Sequence, residues 1–198
     1  MGHMEPPLGE DAHKVASILL EAVTPKDGYT SEHASLVSRL SQLVGVELGL
    51  NVEEIESLVL GALLHDLGKL AVSDAILEKP GPLTEEEWAV VKRHPDVGAR
   101  MIEPIEVLSG AVPVVRHHHE RYDGTGYPDG LEGEEIPLAA RIVAAVDAYD
   151  VMIRGRPYRQ RRSQAEALEE LSREAGLQFD KQVVEALILV RETERPSR

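Results

Sequence analysis

Gly61-Ala62-Leu63-Leu64-His65-Asp66-Leu67-Gly68-Lys69-Leu70 decides how this chain is read. An apolar helix runs directly into an imidazole and a carboxylate, at the edge of a core where neither is buried cheaply without a partner. A neutral nitrogen ligand beside an anionic oxygen ligand asks for a metal. Upstream, Asn51 with Glu54 three residues on is a capping box that opens this helix. Downstream, three settings are equally specific: His94-Pro95-Asp96-Val97-Gly98; His118-His119-Glu120 leading into Asp123-Gly124-Thr125-Gly126-Tyr127-Pro128; and Asp147 within Ile142-Val143-Ala144-Ala145-Val146-Asp147-Ala148-Tyr149. Each has an ordinary reading alone, but an unpaired carboxylate at 147 facing the core would be costly. Taken together, they predict one site assembled from four helices.

The remaining periodicity is helical almost throughout, so the expected class is all-α, a bundle of about seven to nine helices with a glycine-rich loop. A first helix is expected over 11–23, with Val15, Ile18, Leu19 and Val23 sharing a face, and Pro25 to Gly28 breaking it. A second starts near Thr30 or Ser31, buries Leu36, Val37, Leu40, Leu43, Val44 and Leu48, and stops at Gly49. Residues 68–82 read as an irregular connection. Thr84 and Glu87 cap a helix reaching about Arg93, with His94 in the break before Pro95. Further helices are expected at about 96–103, 106–119, 138–153 and 163–175, and from Asp180 onward. One domain over 11–195 is the economical division, preceded by a disordered or cloning-derived 1–10 that includes Met1-Gly2-His3-Met4.

Composition narrows the function. The 198 residues are 42% hydrophobic and contain no cysteine, so thiolate sites are excluded and any metal is held by imidazole and carboxylate. Fe, Mn, Zn, Ni and Co are the candidates. A net charge of −14 argues against general nucleic-acid or anionic-membrane binding, whereas a small anionic substrate is allowed in a cleft whose potential is inverted by metals and arginines. No apolar run approaches the roughly 20 residues of a membrane span and no secretory leader is seen, which makes the cytoplasm the expected location.

These motifs, in this order and spacing, resemble the HD-GYP subgroup of the HD-domain metal-dependent phosphohydrolases over about residues 25–180. Tyr29-Thr30-Ser31-Glu32-His33 is similar to the upstream histidine motif, His65-Asp66 to the HD pair, and His94-Pro95 to the third motif. His118-His119-Glu120 and Gly126-Tyr127-Pro128 match the subgroup signature, and Asp147 with Arg156-Pro157-Tyr158-Arg159 completes it. The resemblance implies an all-helical bundle and two divalent ions, Fe or Mn first, with one held by His33, His65, Asp66 and Asp147. The other would be held by Asp66, His94, His118 and His119, with Asp66 bridging.

The implied activity is hydrolysis of cyclic di-GMP to the linear dinucleotide pGpG by a metal-bridging hydroxide, with a second cut to GMP left open. Lys69 is placed to stabilise developing charge or bind phosphate, and Tyr127, Arg156 and Arg159 to bind substrate. His117 does not align with a ligand, and His13 is expected to be a polar residue of the first helix. Some members add a third ion through a glutamate four residues before the upstream histidine. Tyr29 stands there, and neither Glu32 nor Asp27 is a good substitute, so two ions are expected. Two alternatives stay open: an HD phosphohydrolase for another cyclic dinucleotide or nucleotide, and a non-catalytic cyclic di-GMP receptor or adaptor that docks a diguanylate cyclase through the loop. A sensory or receiver domain and a second copy of the chain are the other expected partners.

Overall fold

Apolar residues at three- and four-residue spacing make nearly every described segment helical in the computed structural model, which describes residues 9–23, 31–154 and 161–194. The helices are α1 (Gly9–Val23), α2 (Ser31–Glu47), α3 (Val52–Leu64), α4 (Asp74–Leu77), α5 (Glu85–Val91), α6 (His94–Ile102), α7 (Val112–His117), α8 (Leu138–Arg154), α9 (Gln164–Arg173) and α10 (Lys181–Thr193). Apart from the single turn α4, nine helices lie among the described residues, with only isolated bridges such as Asp123 to Glu132 and no strand. None of these helices is long and apolar enough to cross a membrane.

The caps follow side-chain chemistry. Asn51, Thr84 and Ser163 each accept from the backbone N–H three residues on, and Glu54, Glu87 and Glu166 return a bond to the cap. Asp180 accepts from the Gln182 amide to start α10.

α3 is central, because its two faces enter different cores. Leu58 and Ala62 join Val37, Leu40 and Val44 of α2, Val143 and Val146 of α8, and Leu187 of α10. Leu60 and Leu64 face the other way, toward Ala12 and Ala16 of α1, Ile102 of α6, Leu108 and Val115. Each fully buried leucine contributes roughly 2–3 kcal/mol by leaving water, so the position of the α3 C-terminus is strongly determined. That terminus carries His65 and Asp66.

Several boundaries differ from expectation for local reasons. α1 begins at Gly9, and its buried face is Ala12 and Ala16 rather than Ile18, which is 67% exposed. Small residues let α1 lie close to its neighbours. Within 68–82 the chain forms a 3-10 turn (Leu67–Ala71) and then α4. The stretch 106–119 divides into a 3-10 turn (Glu106–Ala111) and α7, with Pro113 in the first turn of α7, where its missing N–H costs nothing. His94 opens α6 together with Pro95 instead of lying in a break before it.

The 3-10 turn after Asp66 packs directly on α6. A Cβ at Gly68 would lie 1.9 Å from the His94 carbonyl oxygen and 2.6 Å from the Gly98 nitrogen, so the close approach of two backbones requires glycine. This contact brings Asp66 beside His94. Gly68→Ala is therefore expected to destabilise the fold by about 3 kcal/mol, the upper end for overpacking, because backbone cannot step aside as a side chain would. A urea midpoint within error of wild type would contradict this.

Candidate metal site

Five helices converge on one point where the two cores meet. α2 supplies His33, the end of α3 His65 and Asp66, the start of α6 His94, the end of α7 His118 and His119, and α8 Asp147. His65, Asp66, His94 and His118 are all buried.

Backbone carbonyls set the tautomers. The Nδ1 atoms of His65, His94 and His118 lie 2.8 Å from the carbonyl oxygens of Ala62, Val91 and Val115, three residues back in each case. A carbonyl only accepts, so each Nδ1 carries its proton and each Nε2 presents a lone pair to the site. The Nε2 atoms of His94 and His118 face one another at 3.3 Å. Two acceptors at that separation repel in a buried place, and a cation between them removes the repulsion. The donor set therefore fits a divalent ion.

Asp66 divides its two oxygens. Oδ1 lies 3.3 Å from His94 Nε2, while Oδ2 lies 3.5 Å from His65 Nε2 and 2.8 Å from Lys69 Nζ. Ligand atoms of Asp66, His94, His118 and His119 all fall within 4.8 Å of one another, and so do those of His33, His65 and Asp66. Asp147 is outside that second tight group, yet its Oδ1 is 3.3 Å from His33 Nε2 and 4.0 Å from His65 Nε2. All seven sequence-predicted ligands are thus gathered at the point of convergence.

The electrostatics suit the same purpose. Burial pushes Asp66 toward its neutral form, but Lys69, His65 and His94 outweigh it and hold the carboxyl well below the usual range. Burial likewise raises Asp147, and the neighbouring His33 and His65 bring it down to about 2. Burial, then the neighbouring His94, lowers His119 to about 3, and His118 is also shifted well down by burial and its neighbouring histidines. Burial opposes charge on His33 as well, but hydrogen bonds to Asp147 and Asp150 raise it to about 9. At neutral pH the carboxylates are ionised and the His118–His119 pair is neutral, the states that ligate, whereas His33 carries an extra proton that a bound metal would displace.

The glycine-rich loop covers one side of this cluster. Tyr127 stacks on His119 with ring centroids 5.0 Å apart, and Lys92 Nζ lies 5.6 Å from the Tyr127 centroid. Burial, then the negative charges of Asp66 and Asp147, push the Tyr127 phenol up, so it is a neutral hydrogen-bond donor. A Cβ at Gly126 would fall 2.3 Å from the Arg121 nitrogen, which is why the loop can fold back on itself there. Glu120, 3% exposed, accepts through Oε1 from the amides of Asp129 at 2.7 Å and Gly130 at 3.1 Å. Arg116 pairs with both oxygens of Asp129 at 2.9 and 3.0 Å, and His117 Nε2 reaches Asp129 Oδ2 at 3.0 Å. His117 is therefore a brace for the loop.

Sequence reasoning passed over three of these groups. Asp150 is fully buried and takes the Nδ1–H of His33 at 2.5 Å, and its place three residues after Asp147 on the same helix face was the available signal. Glu120 and the Arg116–Asp129 pair gave none beyond their proximity to the loop. Glu32 is exposed and approaches Arg154 at 3.6 Å, as expected for a residue outside the pocket. Arg154 itself is ion-paired with Asp150. Tyr29, Asp27, Arg156 and Arg159 lie outside the described residues.

The family model described as HD domain matches residues 18–183. The chain is 43% identical over 182 residues to the cyclic di-GMP phosphodiesterase response regulator RpfG of Xanthomonas campestris pv. campestris, covering 90% of this chain and 48% of that protein. It is 35% identical over 180 residues to 3'3'-cGAMP-specific phosphodiesterase 1 of Vibrio cholerae, covering 90% of this chain and 42% of that protein. The solved structure of Bd1817, an HDG"Y"P protein from Bdellovibrio bacteriovorus, is similar with a TM-score of 0.67 at 25% identity, covering 93% of this chain and 61% of that one. The chain spans about half the length of the curated relatives it matches.

Glu120→Ala would leave two loop amides without their acceptor, and an expected loss of about 2 kcal/mol follows from two unmade hydrogen bonds in a buried setting. Amide exchange at Asp129 and Gly130 should accelerate in Glu120→Ala and much less in Glu120→Gln, which keeps an acceptor oxygen. Equal exchange in all three proteins would show that Glu120 does not hold the loop.

Proposed function

The chain belongs to the HD-domain family, and on that footing we propose that it is a metal-dependent phosphodiesterase that hydrolyses cyclic di-GMP to pGpG and onward to GMP. The observation that carries this reading is the division of the two Asp66 oxygens between two groups of imidazoles, the arrangement that a pair of divalent ions sharing one carboxylate requires. His33, His65, Asp66 and Asp147 would hold one ion and Asp66, His94, His118 and His119 the other, with Fe or Mn first on the family resemblance and Zn, Ni and Co equally admitted by a donor set of nitrogen and oxygen alone. Bound divalent ions would supply Lewis-acid polarisation of the phosphodiester and a water acidified to a nucleophile at neutral pH.

The rest is the work of the chain itself. Lys69, drawn to Asp66 at 2.8 Å, holds a positive charge where a non-bridging phosphate oxygen or the departing 3′ oxygen would develop negative charge. Tyr127, neutral and stacked on His119, offers a phenol O–H to phosphate at the rim of the cluster. Arg156 and Arg159 follow α8 in sequence, and a planar two-pronged donor suits both phosphate and the guanine edge. Neutralisation by these groups allows an acidic protein to accept an anionic substrate. The two named relatives, one for cyclic di-GMP and one for 3'3'-cGAMP, support a cyclic dinucleotide and leave 3'3'-cGAMP as the second substrate to test. Residues 11–195 as one domain, acting in the cytoplasm, is the setting we propose for this activity.

Two experiments test it. Purified protein assayed against cyclic di-GMP, 3'3'-cGAMP and a monoester, with elemental analysis of the same sample, should show turnover of cyclic di-GMP with two divalent ions per chain. Absence of turnover with both ions bound would favour a receptor. Asp66→Asn should fall below about a tenth of wild-type activity and lose metal with helix content unchanged, as expected when a shared carboxylate is neutralised. Arg159→Ala should keep its metal and lose affinity for substrate, so a metal-depleted Arg159→Ala protein would refute its assignment to substrate.

A further inference from the structure

Of the four histidines whose Nδ1 contacts are described at this site, three donate to neutral backbone carbonyls. His33 is different. Its Nδ1 lies 2.5 Å from Oδ2 of Asp150, a carboxylate with no exposure to solvent. The other Asp150 oxygen accepts from Nε of Arg154 at 2.8 Å, and Arg154 reaches on to the Glu32 carbonyl oxygen at 3.3 Å, next to His33 in the chain. Asp147, Asp150 and Arg154 are spaced by three and four residues along α8, so they lie on one side of it. An anion on one nitrogen of an imidazole strengthens the other nitrogen as a donor to metal, and partners of this kind are typically worth about 10–100-fold in metal affinity. A carbonyl does this less, because it carries only a partial charge.

We propose that Asp150 is a positioning residue that makes the ion held by His33 the tighter of the two, and that Arg154 holds Asp150 in the orientation for that task. The inference rests on the reading of His33 as a ligand given above and adds an order of filling to it. Arg154, at the helix surface, fixes the second Asp150 oxygen and so the direction in which the first one faces His33, while its own charge stays partly hydrated.

Metal-stripped protein titrated with Mn²⁺ by calorimetry tests the proposal without recourse to activity. Wild type should bind in two steps of unequal affinity. In Asp150→Asn the amide oxygen still accepts the His33 proton while the charge is gone, so the tighter step should weaken about 10–100-fold and the weaker step should stay in place. Arg154→Gln, altered at the partly exposed end of the chain of contacts, should weaken the same step to a smaller extent. It is the decisive variant if Asp150→Asn loses its helical circular dichroism. An unchanged tighter step in a folded Asp150→Asn, or in Arg154→Gln when Asp150→Asn does not fold, overturns the proposal while leaving His33 as a ligand. Equal weakening of both steps overturns it too. Failure of wild type to bind Mn²⁺ in two steps overturns the two-ion reading and this inference with it.

Discussion

A buried anion at the junction of two cores governs this molecule. Asp66 is nearly inaccessible, and it stays ionised only because Lys69, His65 and His94 surround it. Each of those groups is carried by a different stretch of backbone, so satisfying one carboxylate ties the end of α3, the following turn and the start of α6 to a single point. The apolar packing of α3 places the charge, and the Lys69 ammonium at 2.8 Å makes the placement tolerable.

The tight turn after Asp66 shows how little freedom remains. Gly68 sits against the His94 carbonyl and the Gly98 amide, and a side chain in that gap would part the two halves of the cluster. On the opposite side, His118 and His119 follow the short helix α7, whose first turn accommodates Pro113 and whose last turn sends His117 outward to Asp129. Three consecutive histidines thus serve two surfaces, because successive side chains on a helical turn point about 100° apart.

Much of this was legible in the sequence. The all-helical class and the capping boxes at Asn51 and Thr84 follow from apolar spacing and cap chemistry, Asp147 within Val146-Asp147-Ala148 stands out as a carboxylate stranded in apolar surroundings, and the full set of seven gathered residues, His33 included, rests on the family resemblance. What escaped was set by tertiary contact. Ile18 reads as a core residue by period, yet the alanines of α1 are what its neighbours accept. Asp150 reads as an ordinary helix carboxylate until α2 brings His33 to it across 117 positions of chain. Glu120 joins the loop through backbone amides, and such a bond leaves no mark on the partner's residue type.

The loop that bears Tyr127 is secured by Glu120, Arg116 and His117, all of which act on Asp129 or its neighbour Gly130. These anchors use none of the seven gathered side chains, and the loop touches the cluster instead through Tyr127, whose ring stacks on His119 and whose amide donates to the His119 carbonyl. Gly126 is pinned against the backbone of Glu120 and Arg121, and Tyr127 against His119, so the residues of this loop exposed to solvent, Thr125, Asp129 and Gly130, lie to either side of that fixed point. For a scaffold shared by relatives that act on different cyclic dinucleotides, this separation supplies a place where recognition can drift while the chemistry is conserved.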